Sequence, residues 1–232
     1  MSLEENILQV RQNIALAARE AGRDPGEITL CAATKIQSDA VIRAAIAAGI
    51  TVCGENRVQE MTAHLDADAY AGAELHFIGH LQTNKVRHVV GRVELIESVD
   101  SPRLLEAIER QAAGLDIVQD ILLEVNVAGE ERKSGVEPKE LESLAQLASE
   151  LPHVRLRGLM TVPPVGGGHQ FFQKMRQFFV DIKRKMPHNE NDIDCLSMGM
   201  SGDYMEAVRE GATQVRVGSA LFGARPPRHP PI

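Results

Sequence analysis

The sequence predicts one α/β domain in which eight parallel strands, with helices between them, close into a (β/α)8 TIM barrel that carries an extra N-terminal helix. Three observations predict this fold. The 232 residues, 44% of them hydrophobic, suit a single barrel core. Short apolar runs alternate with helical stretches along the whole chain, which implies a parallel sheet. No change in composition marks a second domain. An open doubly wound sheet is the alternative, but the loop after the first strand, Thr34–Ser38, lacks the Gly-x-Gly-x-x-Gly of its dinucleotide-binding form.

The chain begins with an amphipathic helix over residues 3–21, because Ile7, Val10 and Ile14 recur at helical spacing. The turn signal Asp24-Pro25-Gly26 separates this helix from the first apolar run. The predicted strands are 28–34, 50–53, 75–78, 94–98, 119–126, 154–159, 193–197 and 214–217.

Helix signals lie in the gaps between these strands. Gly49 and Gly211 stand where a helix would end, as glycines that follow helices commonly do. Ser101-Pro102 places a capping residue and a first-turn proline in order, and Pro138 marks another helix start. The predicted helices after the first are 38–48, 56–63, 83–90, 102–113, 138–150, 169–185 and 202–210.

Composition and charge narrow the possible partners. A net charge of -7 argues against a broad nucleic-acid surface, which is usually basic. No apolar run approaches ~18 residues, so we predict no membrane span. The three cysteines include no Cys-x-x-Cys pair, and the acidic N-terminus has no basic signal-peptide region, which together indicate a reducing compartment. We therefore expect a cytoplasmic protein that binds a small molecule, with neither a nucleic acid nor a membrane as partner. Nothing in the sequence requires a dimer, so we expect a monomer.

The domain boundaries follow from the last strand and from the proline content of the C-terminus. We expect residues 1–223 to form the barrel. The stretch 224–232 contains two Pro-Pro pairs, and we expect it to be a flexible tail.

Lys35 directly follows the first predicted strand. The carboxyl ends of barrel strands carry the active site, and a lysine amine can form a Schiff base with a carbonyl compound. A solvated lysine at a strand end is the alternative for Lys35 taken alone.

The segments after the last two strands resemble a phosphate site. Met198–Gly202 contains two glycines and a serine before a predicted helix, and Gly218-Ser219 repeats this combination after strand eight. Barrels frequently bind phosphate at these two loops, on backbone amides and a helix N-terminus. Either loop alone could be an ordinary turn or helix cap, but both loops together with Lys35 favour a phosphate site.

A phosphate site opposite a strand-end lysine suits pyridoxal 5′-phosphate, which has a phosphate at one end and an aldehyde that condenses with an amine. Arg216 lies two residues before Gly218 and shares its inward register. An arginine stays protonated and would disfavour protonation of the pyridine nitrogen. The alternative for Arg216 is a structural ion pair in the barrel.

Other polar residues are given structural roles. His76 and His80 have an i, i+4 spacing, but they run from a strand into a loop with no evident third ligand, so we predict no metal site. Glu55 is interpreted as a loop carboxylate that pairs with Arg57 or Lys85, and a general base is the alternative. The three cysteines are interpreted as small core residues.

A set of motifs spread over residues 28–223 resembles the pyridoxal phosphate homeostasis protein family, single-domain relatives of the alanine racemase N-terminal domain. The motifs are Ala33-Thr34-Lys35, Gly54–Glu60, His76–Lys85, Val125-Asn126, Lys133–Gly135, Arg157–Met160, Leu196–Ser201 and Val215–Gly218.

This resemblance implies an alanine racemase N-terminal domain-like barrel with pyridoxal 5′-phosphate as its cofactor. It implies a Schiff base on Lys35, a phosphate held by the two glycine-serine loops, and Arg216 near the ring nitrogen. The cofactor-binding residues it implies are Lys35, Asn56, His80, Met200, Ser201, Gly202, Arg216, Gly218 and Ser219.

The resemblance also implies intracellular homeostasis of the cofactor, with apo forms of pyridoxal phosphate enzymes as possible recipients. Racemases add a tyrosine base from a further β-domain, and we expect none here. Tyr70 is placed in a surface loop and Tyr204 in the helix after strand seven. We therefore expect cofactor storage with little or no turnover. The alternatives are a low-activity amino-acid racemase and an aldolase-type barrel that uses Lys35 on a sugar carbonyl.

Overall fold

Eight parallel strands close into one barrel in the computed structural model, which describes residues 1–130, 134–164, 166, 168–186 and 192–223. Each strand pairs with the next, and the last pairs with the first. The strands are β1 Thr29–Ala33, β2 Val52–Glu55, β3 Glu74–Phe77, β4 Leu95–Val99, β5 Gln119–Glu124, β6 Val154–Met160, β7 Cys195–Ser197 and β8 Gln214–Val217. The helices are α1 Leu3–Glu20, α2 Asp39–Ala47, α3 Val58–Asp66, α4 Pro102–Leu115, α5 Leu141–Glu150, α6 Gly168–Lys185, α7 Tyr204–Arg209 and α8 Ser219–Phe222. The predicted barrel, with its extra N-terminal helix, is confirmed.

Alternate residues of each strand belong to different cores, because successive side chains point to opposite faces of a strand. In β1, Leu30 and Ala32 belong to the large core between the strands and the helices. Cys31 and Ala33 pack instead in a small separate cluster with Val52 of β2 and with Ile78, the residue that follows β3. The barrel interior is therefore only partly apolar, and buried polar side chains fill the rest.

Closure of the barrel brings the two ends of the chain together. Cys31 of β1 is aligned with Val52 of β2 on one side and with Arg216 of β8 on the other. The segments that follow β1 and β8 therefore emerge side by side at the carboxyl end of the barrel, although about 180 residues separate them in the sequence.

The extra helix α1 contacts α7 and α8, the two helices next to the segments that follow β7 and β8. Ser2 and Glu5 form a capping box at its start. Asn6 donates a hydrogen bond to the Leu221 carbonyl of α8 at 2.8 Å, and Asn13 donates to the Tyr204 hydroxyl at 2.9 Å. The N-terminal helix thus holds α7 and α8 against the barrel.

Three local predictions differ from the structure. The helix predicted over 83–90 is a 3-10 helix, Thr83–His88, whose i, i+3 bonds include the one from the Lys85 amide to the Gln82 carbonyl. The helix predicted from residue 138 begins at Leu141, because residues 138–140 form a turn. The short helix α8 was not predicted, since four residues are too few to show helical periodicity.

The described part of the chain contains no helix with the length and hydrophobicity that a bilayer crossing requires. The predicted flexible tail, 224–232, lies outside the described residues.

Candidate functional site

A cavity of about 460 Å³ opens at the carboxyl ends of β1 and β8. Its volume is within the range of small-ligand sites. Eight of the nine sequence-predicted cofactor residues line it: Lys35, Asn56, Met200, Ser201, Gly202, Arg216, Gly218 and Ser219.

The turn after β1 presents Lys35 to this cavity. The Thr34 amide donates to the Gly54 carbonyl of β2 at 2.9 Å, which extends the sheet pairing by one residue. The Gln37 amide then donates to the Thr34 carbonyl at 3.0 Å, so the chain turns immediately after the strand. Lys35 is half-buried at the apex of this turn and lines the cavity.

The next residue, Ile36, has a left-handed backbone with φ of 64°. A β-branched residue in this region is a strained outlier. The carboxylate of Glu60 accepts a hydrogen bond from the Ile36 amide at 3.1 Å, which helps to hold the turn. Ile36 is 49% exposed and lines the mouth of the cavity, so the strain lies directly beside Lys35.

Replacing Ile36 by Asn is expected to stabilise the protein by about 1 kcal/mol, because asparagine adopts the left-handed conformation with less strain. The melting temperature of the cofactor-free protein, measured by calorimetry, should rise by roughly 2–4 °C. Ile36→Val is the matched control, since valine keeps the β-branch and should give no gain. A lower melting temperature for Ile36→Asn than for the wild type would contradict the strain argument.

Ser201 joins the two loops that were predicted to bind phosphate. Its hydroxyl oxygen accepts hydrogen bonds from the Gly218 amide at 3.1 Å and from the Ala220 amide at 3.2 Å. A serine hydroxyl has two acceptor positions and one donor. Because the two amides use the acceptor positions, the hydroxyl proton is the group that Ser201 offers to an anion in the cavity.

Gly218 brings this loop against the end of β1. A side chain at Gly218 would meet the Ala33 carbonyl oxygen at 3.4 Å. Gly202, on the facing loop, has open space where a Cβ would lie. The two glycines therefore leave room for a ligand group between the loops. This space lies next to Ala33, which is two residues before Lys35.

Arg216 is only 3% exposed, yet it lines the floor of the cavity. Its guanidinium donates to the Ser197 hydroxyl at 2.5 Å and to the Thr161 carbonyl at 2.8 Å. The Glu97 carboxylate lies 3.8 Å from the same guanidinium. Arg216 thus has its charge compensated from inside the barrel and faces the cavity from a fixed position.

Glu97 is fully buried and accepts three side-chain hydrogen bonds: from His76 Nδ1 at 3.0 Å, Gln214 Nε2 at 2.5 Å and Ser197 Oγ at 2.7 Å. Burial by itself would raise the pKa of Glu97, but the hydrogen bond and charge of His76, with smaller contributions from Arg216 and Ser197, bring the pKa below its ordinary value. Glu97 is therefore ionised at neutral pH. An ionised carboxylate only accepts, so His76 Nδ1 carries the proton between them.

The loop after β2 contributes Asn56. Its side-chain oxygen is buried and accepts no hydrogen bond from the described residues, which is uncommon for a buried polar atom. The backbone amide of Asn56 donates to a carboxylate oxygen of Glu55 at 2.6 Å, and the backbone amide of Arg57 donates to the same oxygen at 3.3 Å.

The predicted pairing of Glu55 with Arg57 or Lys85 is wrong. Glu55 accepts hydrogen bonds from the backbone amides of Asn56 and Arg57 and from the Tyr70 hydroxyl, while the Arg57 side chain pairs with Glu60. Glu55 is buried, and its burial raises its pKa. Tyr70 was predicted in a surface loop, but it is 5% exposed, because its ring packs inside the strand–helix core.

His80 is the one predicted cofactor-binding residue that does not line the cavity. Its imidazole is largely exposed and lies 3.8 Å from Asp100. Among the other lysines at strand ends, Lys85 lines a separate surface depression between Thr83–His88 and α4, and Lys133 lies outside the described residues.

The sequence profile of the alanine racemase N-terminal domain family matches residues 6–226. A pyridoxal phosphate homeostasis protein of Aquifex aeolicus is 42% identical, over 97% of this chain and 99% of its own.

This chain belongs to the alanine racemase N-terminal domain family.

Solved structures agree with the assignment. A protein of unknown function from Bifidobacterium adolescentis superposes with a TM-score of 0.86 at 36% identity, over 95% of this chain and 94% of its own. PipY of Synechococcus elongatus PCC7942, solved with PLP bound, superposes with a TM-score of 0.82 at 33% identity, over 96% of this chain and 100% of its own. The family resemblance and the (β/α)8 fold inferred from the sequence motifs are thereby confirmed.

The site in this family member also contains residues that sequence reasoning missed. Ile78, Val162 and Phe222 give the cavity apolar walls, and a single apolar residue just after a strand or in a four-residue helix gives no sequence signal of such a role. Glu97 did give a signal, because a carboxylate in the apolar strand Leu95–Val99 is unusual, and it shares its face of the strand with Leu95.

Cys31, His76 and Glu97 place three donor atoms within 4.8 Å of one another inside the barrel, a ligand set that zinc accepts. In this arrangement Glu97 is already bonded to His76 and lies beside the Arg216 cation, and burial raises the pKa of the Cys31 thiol well above its ordinary value. The geometry is that of a charge-balanced hydrogen-bond network. The absence of a metal site stays a prediction.

Proposed function

We propose that this protein binds pyridoxal 5′-phosphate as a Schiff base on Lys35 and holds it for intracellular cofactor homeostasis, with little or no turnover. The observation that carries the proposal is the convergence of Lys35, Arg216 and the two glycine-serine loops on one cavity. When bound, the cofactor supplies an aldehyde for amine condensation and a conjugated ring that can accept electrons.

The cavity fits a phosphorylated aldehyde from three directions. Lys35 offers an amine at the β1 end. The Ser201 hydroxyl, oriented by the amides of Gly218 and Ala220, offers a donor to the phosphate. Arg216 offers a charged donor to the ring nitrogen, and the unsatisfied side-chain oxygen of Asn56 can accept from a polar group on the ligand. The relatives named for pyridoxal phosphate homeostasis, and PipY with PLP bound, support this ligand.

Low turnover is supported by the chemistry around the ligand. A permanently protonated Arg216 disfavours a protonated pyridine ring, which weakens its capacity to accept electrons. Among the described lining residues, Lys35 and Arg216 carry charge and the remaining ones are neutral. The hydroxyls of both tyrosines are engaged elsewhere, Tyr70 with Glu55 and Tyr204 with Asn13.

Borohydride reduction followed by peptide mass spectrometry tests the site. The protein saturated with pyridoxal 5′-phosphate should carry one covalent adduct, on the peptide that contains Lys35. An adduct confined to another lysine, or no adduct at all, would sink the proposal.

Exchange in deuterated water tests the absence of turnover. L-alanine or L-serine incubated with the loaded protein should gain almost no α-deuterium, measured by NMR, against an alanine racemase as positive control. Sustained enzyme-like exchange would favour the racemase alternative.

We further propose that the protein acts as a cytoplasmic monomer and passes the cofactor to apo-enzymes. The free thiols of Cys31, Cys53 and Cys195 are consistent with a reducing compartment. Light scattering reports the mass of the particle. The gain of activity by an apo-enzyme mixed with the loaded protein, compared with an equal amount of free cofactor, reports transfer.

A further inference from the structure

The barrel interior beneath the cavity contains a hydrogen-bonded chain of polar side chains, of which the proposed function uses only Arg216. It runs from His76 on β3 through Glu97 on β4 and Ser197 on β7 to Arg216 on β8, with Gln214 beside it. Two pairs of consecutive strands, β3–β4 and β7–β8, thus contribute to one buried network, and the bond between Ser197 and Glu97 joins the pairs across 100 residues of chain.

Ser197 shows how completely this network is determined. Its oxygen accepts from Arg216 at 2.5 Å and from Gln214 at 3.0 Å, and its hydroxyl donates to Glu97 at 2.7 Å. One donor and two acceptors are all that a serine hydroxyl has. The direction of every bond is therefore fixed, and the chain leads from the Arg216 cation to the Glu97 anion.

The network restrains Arg216 on two sides. Ser197 and the Thr161 carbonyl take one N–H from each terminal nitrogen of the guanidinium, and Glu97 supplies the opposite charge from below at 3.8 Å. These two bonds use two of the five N–H donors of the planar guanidinium, so three donors remain on a side chain that lines the cavity. A buried cation without a compensating charge would be strongly unfavourable at this position.

We propose that Glu97 is a positioning residue for the cofactor: through Ser197 it holds Arg216 as a fixed, charged donor aimed at the ring nitrogen. The proposal rests on the proposed function for the identity of the ligand. It goes beyond that function because it assigns the affinity for the ring nitrogen to a carboxylate that does not line the cavity.

The cofactor-free protein gives the first test, which does not depend on the ligand. Glu97→Gln leaves the Arg216 charge buried without its counter-ion. The melting temperature of this variant should therefore be lower than that of the wild type by on the order of 10 °C. The double variant Glu97→Gln/Arg216→Met removes both charges and should be more stable than Glu97→Gln alone. Glu106→Gln, at an exposed position of α4, controls for the substitution itself. Purely additive losses in the double variant would overturn the pairing.

Ligand binding gives the second test, with pyridoxal 5′-phosphate and an analogue that has carbon in place of the ring nitrogen. Glu97→Gln should weaken binding of pyridoxal 5′-phosphate by roughly tenfold, the effect of one hydrogen bond to a charged group, and leave the affinity for the carbon analogue unchanged. A merely structural role would lower both affinities alike, and that result would overturn the proposal. If Glu97→Gln does not fold, Ser197→Ala is measured instead, because it removes only the bridging hydroxyl and should show the same selectivity.

The outcomes also separate this proposal from the proposed function. A wild-type protein that binds neither ligand would refute the proposed function, and the positioning role with it, while the melting temperatures still report the pairing. A wild type that binds both ligands, with equal affinity losses in Glu97→Gln, would refute the positioning role alone.

Discussion

Replacing Lys35 by alanine is expected to abolish covalent attachment of pyridoxal 5′-phosphate while the barrel folds as before. The amine is the condensing group, and no other side chain of the described lining is a primary amine. The fold should persist because Lys35 lies in a turn and is half-buried, so its loss should change the free energy of unfolding by no more than about 1 kcal/mol. The visible absorbance of the Schiff base and the mass of the borohydride-reduced protein measure attachment, and thermal unfolding measures the fold.

Lys85→Ala is the matched control for this variant. Lys85 also follows the end of a strand, but it lines a separate depression, so its replacement should leave the adduct intact. An adduct that survives in Lys35→Ala and disappears in Lys85→Ala would move the attachment site to the loop after β3. Survival in both variants would direct attention to Lys133.

A carboxylate at position 202 is expected to lower the affinity for pyridoxal 5′-phosphate by a hundredfold or more. Gly202 lines the cavity and has open space around its missing side chain, so Gly202→Asp should fold. The aspartate would stand in the proposed phosphate site. Two like charges ~5 Å apart repel by about 3 kcal/mol at the effective dielectric of a protein surface, which is more than two factors of ten in affinity. Equilibrium titration by fluorescence measures the effect.

Gly202→Asn separates charge from bulk in this experiment, because asparagine has nearly the same shape as aspartate without the charge. We expect the asparagine variant to bind far more tightly than the aspartate variant, and added salt to narrow the difference. Equal losses in both variants would mean that steric exclusion, and not a phosphate, explains the effect.

Much of the fold could be predicted from local pattern alone. The alternation of short apolar runs with helical stretches placed all eight strands, and Gly49, Gly211 and Ser101-Pro102 marked helix ends correctly. The errors were at short elements. The segment 83–90 has too few residues to distinguish a 3-10 helix from an α-helix, and the four residues of α8 have no period at all.

The candidate site was predicted in part. Lys35, Arg216 and the loops around Ser201 and Gly218 could be assigned because a parallel barrel opens all its strand ends on one face. Tyr70 and Glu55 were misplaced, since neither the burial of a loop nor the partner of a carboxylate is encoded in the spacing of nearby residues. The polar residues under Arg216 were missed as a group: Glu97 stands out in an apolar strand, but its partners lie on other strands and cannot be assigned from local spacing.

The sequence by itself determined which residue types stand at the strand ends, and therefore the barrel, the lysine and the two phosphate-like loops. Only the tertiary structure decided what lies between them. Barrel closure sets β8 beside β1 and so joins Arg216 and Gly218 to Lys35. It also brings Glu97 within reach of Ser197 across 100 residues of chain. The contact matters for stability because both groups are buried, and a charge removed from water requires a partner. Which partner it receives depends on distances between strands that no local sequence pattern contains.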